Sequence, residues 1–243
     1  MGVSDGNRTG ACDTNFDRKG SRLMKSELIV MLTYKDRTLE NAYRIFEECR
    51  DTKANIWGIK EEGIPFREMK ALYAFMKDCG KTTVLEAVAY TEDKCVMCAK
   101  MAHDCGCDVL MGTIFFDSVN EYCREHDLKY MPFVGKVTCR PSILEGGIEE
   151  MIEQANRYLD KGIHGFDLLG YRYVGNTLLL SKEFISRVDA PVCLAGSIDS
   201  YERLDEVKAY NPWAFTIGGA FFENKFGRAY SEQINNIYDY ITA

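Results

Sequence analysis

The sequence predicts an α/β protein, a single (βα)8 TIM barrel with a closed parallel sheet of eight strands. Three observations predict it. Apolar runs alternate with amphipathic helical segments eight times between residues 27 and 243, at roughly 27 residues per unit against the ~250 residues typical of such barrels. The runs are apolar throughout rather than alternating, as parallel strands covered on both faces must be. The turn after the first run, "MLTYKDRT" (31–38), lacks the G-x-G-x-x-G that opens most doubly wound open sheets.

Each unit has its own justification. "ELIVMLTY" (27–34) reads as a strand and "TLENAYRIFEECRDT" (38–52) has helical periodicity. "ANIWGI" (54–59) precedes "PFREMKALYAFMKDCG" (65–80), an amphipathic helix stopped by glycine. "TTVLEAVAY" (82–90) precedes a cysteine-bearing helix, and "CDVLMGTIFF" (107–116) precedes "DSVNEYCREHD" (117–127). Asp117 or Ser118 is the expected N-cap of that helix. "KYMPFVGKV" (129–137) and "HGFDLLGYRY" (164–173) are the fifth and sixth strands, followed by helices over 144–162 and 176–188. "APVCLAG" (190–196) precedes "SYERLDEVKAYN" (200–211), and "AFTIGG" (214–219) precedes the last helix over 227–243.

Composition narrows the function classes. With 46% hydrophobic and 28% charged residues the chain is of ordinary globular type. A net charge of −7 argues against nucleic acid or an anionic membrane as the main partner. No apolar run approaches the ~20 residues of a bilayer span. The first 26 residues are polar and glycine-rich without a signal-peptide core, so they read as an N-terminal arm before a barrel domain over 27–243. The expected location is the cytoplasm. There the ten cysteines are read as reduced thiols. Cys95, Cys98, Cys105 and Cys107 with His103 form one cluster open to a metal reading, but Cys95, Cys98, Ala102 and Cys105 also follow the spacing of an inward helical stripe.

In a barrel of this kind function collects at the C-terminal ends of the strands, and phosphate often binds in the loops after strands seven and eight. Those loops begin "LAGSIDS" (194–200) and "IGGAFFEN" (217–224). Small residues there leave main-chain N–H groups open to a phosphate dianion.

The segment "PVCLAGSIDSYERLDEVKAYNPWAFTIGGAFFENKFG" (191–227) resembles the end of the ribulose-phosphate-binding barrels. It is similar to the histidine-biosynthesis isomerase barrels and to N-acetylmannosamine-6-phosphate epimerases, the latter also in "GFDLLGYRYVGN" (165–176). The resemblance implies a substrate phosphate held at the two loops by backbone groups of Gly196, Ser197, Gly218 and Gly219. It covers the C-terminal third, and the reaction stays open. The glutamate that the epimerases carry before the strand-seven glycine is Ala195 here, and the strand-one aspartate of the isomerases is absent from "VMLTY". The aspartate-lysine-aspartate motif of related decarboxylases is missing from "VLEAVAYTED".

Histidine is placed away from the catalytic face: His103 and His126 lie on helices or their exits and His164 opens strand six at the opposite rim. Acid–base work then falls to carboxylate, lysine or tyrosine. Lys35 and Asp36 follow strand one, Lys60, Glu61 and Glu62 follow strand two, and Tyr171 and Arg172 end strand six. Glu86 is one carboxylate in the apolar strand "TVLEAVAY", so it needs a partner, and Lys60 on the neighbouring strand is the expected one. Lys60, Glu86 and Lys136 are the catalytic candidates, with Arg172 as a clamp for phosphate or carboxylate. The leading expectation is a phosphosugar isomerase or epimerase working by proton transfer beside a carbonyl, without a redox cofactor. Alternatives are a Schiff-base aldolase using Lys60 or Lys136, a Mg²⁺ enzyme using Glu61, Glu86 and Asp36, and a phosphometabolite sensor without catalysis. The expected partner is a small phosphorylated metabolite, and the tyrosine-bearing last helix leaves self-association open.

Overall fold

The computed structural model describes residues 25–243. The expected arm over 1–26 therefore lies outside the described residues except for its last two. Eight strands form one parallel sheet: β1 Glu27–Met31, β2 Ile56–Lys60, β3 Thr82–Ala87, β4 Val109–Gly112, β5 Lys129–Met131, β6 Phe166–Leu168, β7 Val192–Leu194 and β8 Ala214–Ile217. The ladder runs β6-β7-β8-β1-β2-β3-β4-β5. Main-chain bonds across the remaining seam close the barrel: His164 N donates to Tyr130 O at 3.0 Å and Asp167 N to Pro132 O at 3.1 Å.

Helices wrap the outside in the expected order: α1 Ala42–Cys49, α2 Phe66–Asp78, α3 Glu92–Asp104, α4 Asp117–Glu125, α5 Ile148–Leu159, α6 Thr177–Arg187, α7 Tyr201–Tyr210, the one-turn α8 Gly219–Phe222 and α9 Tyr230–Thr242. The glycine stop of α2 is a Schellman motif. Gly80, at φ +72°, donates to Lys77 O at 2.8 Å while Lys81 donates to Met76 O at 3.0 Å. The expected N-cap of α4 differs, because its cap position is Phe116. Asp117 is the first helical residue, where its charge still faces the positive helix end, and Ser118 donates to Glu92 instead, at 2.6 Å.

Strand alternation splits the core in two. Outward residues such as Trp57, Leu85, Phe166 and Phe215 pack under the helices, while Ile29, Met31, Ile56, Val84, Val109, Met111, Met131, Cys193 and Ala214 fill the bore. With Val84 inward, the period of two sends Glu86 inward too; with Ile56 inward it does the same for Lys60. Cross-strand register sets these two residues side by side. Asp167, between outward Phe166 and Leu168, also points into the bore.

The fifth and sixth strands are shorter than the sequence suggests. Pro132 has no N–H to extend the ladder, and after it the chain leaves the wall and forms an antiparallel hairpin, Lys136–Thr138 with Ile143–Glu145. Lys136 therefore does not cap strand five. Beyond Leu168 the chain turns through a 3-10 segment, Gly170–Arg172.

The cysteine cluster lies in the core. Cys95 donates to Ala89 O at 3.4 Å and Cys107 to Val109 O at 3.2 Å. Burial pushes these thiols up, to about 11 for Cys95 and about 12 for Cys98. Among the described residues no three His, Cys, Asp or Glu side chains are grouped to hold a metal ion. No described helix is long and apolar enough to cross a membrane.

Candidate active site

A cavity of about 760 Å³ opens at the C-terminal mouth of the barrel. One side is built by the β1 turn. Residues Thr33–Tyr34 and Arg37–Thr38 form a two-residue hairpin whose central Lys35 and Asp36 both have positive φ, 49° and 63°. That is the twist-matched turn of short hairpins, and it holds Asp36 over the bore. Thr38 then ties this turn to β2: its Oγ1 accepts from Lys60 N at 2.9 Å and donates to Lys60 O at 2.8 Å.

Lys60 is the hub. Its Nζ lies 2.7 Å from Asp36 Oδ1 and 2.9 Å from Glu86 Oε1, and all three residues line the cavity. Only 6% of Lys60 and 8% of Glu86 are exposed, so the pair is nearly dry. Burial alone would discharge the lysine, but the charges of Glu86 and Asp36 together outweigh it and hold the ammonium above its ordinary range. Burial likewise acts to raise Asp36, and Lys60 with Arg140 reverses it, leaving that carboxyl below its usual value.

Arg140 comes from the hairpin after β5 and was not foreseen. Its Nε lies 2.7 Å from Asp36 Oδ2, and its terminal nitrogens lie 3.2 Å from Glu61 and 3.3 Å from Glu62. One guanidinium thus ties the β5 hairpin to the ends of β1 and β2. Burial pushes the Glu61 carboxyl up despite this partner. Asp167, also unforeseen, sits deeper in the bore; it is fully buried, and among the described residues neither side-chain oxygen has a hydrogen-bond partner. Burial, then the nearby charge of Glu86, pushes its carboxyl well above the ordinary value.

The opposite side of the cavity is main chain. Gly196, Ser197, Gly218 and Gly219 all line it. The glycines differ in their reason. Gly196 has φ +129° and a Cβ there would meet Tyr171 Cβ at 2.6 Å, so packing requires glycine. At Gly218 a Cβ would meet Thr33 Oγ1 at 2.7 Å. Gly219 is different: the nearest atom to an added Cβ is Tyr34 Cδ2 at 3.8 Å, so its surroundings are open cavity. Among the described residues the N–H groups of Gly196, Ser197 and Gly219 donate to no protein acceptor. The loop after β7 is fixed from behind, since Arg203 donates to Ser197 O and lies 4.5 Å over the Tyr171 ring. Arg172 lines the same cavity, is exposed and forms no ion pair within the described residues.

Lys60, Glu86, Arg172 and the four loop residues are thus brought together. Lys136 is not. It is exposed on the hairpin, 3.0 Å from Glu145, and does not line the cavity. Its place in the sequence, after an apolar run, hid the break at Pro132.

No family model and no curated protein sequence matches the chain. By fold it is similar to the tryptophan synthase alpha chain from Legionella pneumophila subsp. pneumophila, with TM-score 0.65 and 11% identity over 90% of this chain and 92% of that one. Orotidine 5'-phosphate decarboxylase from Pyrococcus horikoshii OT3 aligns with TM-score 0.63 and 14% identity, over 89% and 99% of the two chains. N-acetylmannosamine-6-phosphate 2-epimerase from Clostridium perfringens gives 0.59 and 14%, over 85% and 93%. At such identities the likeness is one of fold. The epimerase is also of a kind that the C-terminal third resembles, and what it shares with this chain is the barrel fold.

Proposed function

We propose that the protein is a phosphosugar isomerase or epimerase that moves a proton beside a carbonyl. The observation that carries this reading is the dry Lys60–Glu86 contact standing in the same cavity as the open Gly219 amide and Arg172. The amides of Gly196, Ser197 and Gly219 with Arg172 receive the phosphate, which orients the carbon chain across the bore. Glu86 removes the proton α to the carbonyl. The Lys60 ammonium, held charged by its two carboxylates, stabilises the oxyanion of the enediolate. Glu86 then returns the proton to the adjacent carbon while the hydroxyl proton passes between the two enediolate oxygens through the Lys60 ammonium, which one base on one face can do, so isomerisation is the simpler outcome. Lys136, exposed on the hairpin, has no part in it.

The aldolase alternative needs a neutral amine to attack a carbonyl. Lys60 is poorly suited to that, being clamped as a cation. A Mg²⁺ site would compete for acids that are already matched: Asp36 and Glu86 by Lys60, and Glu61 by Arg140.

The test is proton exchange. Incubation with a panel of aldose and ketose phosphates in D2O is expected to place deuterium at the carbon beside the carbonyl, read by proton NMR. A covalent adduct on Lys60 after borohydride would replace this reading with the aldolase. Binding without exchange or turnover would leave a sensor. For binding itself, a ligand at about 100 times its dissociation constant should stabilise the protein by roughly 2.7 kcal/mol. Gly219→Asp, which puts a carboxylate into the open space, is expected to abolish that thermal shift without lowering the melting temperature of the free protein. A full shift in this variant would move the phosphate elsewhere.

A further inference from the structure

Asp167 has no part in the proton transfer just described, yet its setting is unusual. It is fully buried on β6, facing the bore, where the charges of Glu86 and Lys60 act on it and Cys193 of β7 is its register partner. The neighbouring bore residues Met111 and Met131 are apolar. Among the described residues neither Asp167 oxygen has a hydrogen-bond partner. Lys60 already has two carboxylates, at 2.7 and 2.9 Å. A third carboxylate in this dry bore would have no counter-ion, and an unpaired buried charge is strongly unfavourable. Cys193 offers no relief: burial, then Asp167 and Glu86, push its thiol well above the ordinary value and keep it neutral.

We propose that Asp167 carries a proton in the resting protein and is a positioning residue, which sets the charge of the Lys60–Glu86 pair from below. With Asp167 neutral, the Lys60 ammonium is shared by Glu86 and Asp36 alone. Ionisation of Asp167 would put a third carboxylate against the one Lys60 ammonium. Two carboxyl groups that share a site with one proton behave in this linked way.

The direct test is infrared spectroscopy of the full chain labelled with ¹³C-aspartate. The expected result near neutral pH is one protonated aspartate carbonyl band, shifted by the label, absent from ¹³C-glutamate material and lost in Asp167→Asn. Absence of a protonated aspartate at that pH, or a band that survives in Asp167→Asn, would overturn the inference. The labelled wild type gives the answer even if the variant does not fold. Stability supplies a second readout. Because the folded value of Asp167 lies above the unfolded value near 3.8, the native state binds the extra proton above that pH. Wild-type stability therefore falls as pH rises from there toward the folded value. Asp167→Asn lacks this loss, so its melting temperature should gain on wild type as pH rises; a constant difference would count against a proton on Asp167. The kinetic arm rests on the proposed function: the wild-type pH–rate profile should show an inflection that Asp167→Asn lacks. Failure of all sugar phosphates to exchange would remove the proposed function and leave the infrared result standing.

Discussion

Replacing Glu86 with glutamine is expected to lower turnover of the cognate sugar phosphate by about 10²–10⁴-fold, the usual contribution of a positioned general base. Glutamine keeps the shape and one acceptor for Lys60 but cannot take the proton. Lys60 retains Asp36 at 2.7 Å, so the ammonium stays paired and the cavity stays formed. The phosphate grip on the far wall is untouched. The loss should accordingly fall on kcat, with KM and the ligand-induced thermal shift near their wild-type values. Deuterium exchange must disappear together with turnover. If Glu86→Gln turned over normally, the base would have to be another group and the assignment of Glu86 would fail.

The second large effect is on stability. Lys60→Met keeps the stem volume and removes, among the described residues, the only cation within hydrogen-bonding distance of Glu86. Breaking a buried ion pair from one side is destabilising by about 3–5 kcal/mol, because the orphaned charge remains buried. For a domain of this size that corresponds to a fall of roughly 10 °C in melting temperature. The pH dependence follows from the two shifted groups. Asp36, lowered in the fold, contributes stability that is full above its unfolded value near 3.8 and is lost as pH falls through the folded value. Lys60, raised in the fold, contributes below its unfolded value near 10.5 and loses that contribution as pH rises through the folded one. The gap between wild type and Lys60→Met is therefore expected to be widest between those limits and to close in acid. Melting curves across pH check this. An equal gap in strong acid would show that lost packing, not charge, explains the variant.

Much of this site was legible in the sequence because its signals were local. A lone glutamate in "TVLEAVAY" must find a partner, and register on the adjacent strand supplied Lys60. The glycine loops after β7 and β8 were legible because eight apolar runs can be counted without knowing their ends. The errors were equally local. Lys136 follows an apolar run, but Pro132 ends the strand before it, and Gly135 at φ +74° turns the chain into the hairpin. Arg140 lies in "VTCRPS", where nothing nearby shows that the loop folds back across three acids. Asp167 in "GFDLLG" carried the same signal as Glu86, one acid between apolar neighbours on a strand, and the same reasoning would have found it. What remained hidden was the distance between strands three and six around a closed sheet.

The proposed function requires a phosphorylated ligand at the mouth of the barrel. A crystal structure with an unreactive sugar-phosphate analogue decides it. The phosphate is expected within hydrogen-bond distance of the Gly196, Ser197 and Gly219 amides, with the analogue's carbonyl end over Lys60 and Glu86. A phosphate bound outside this cavity, or bound at those amides with its carbon chain turned away from Glu86, would contradict it.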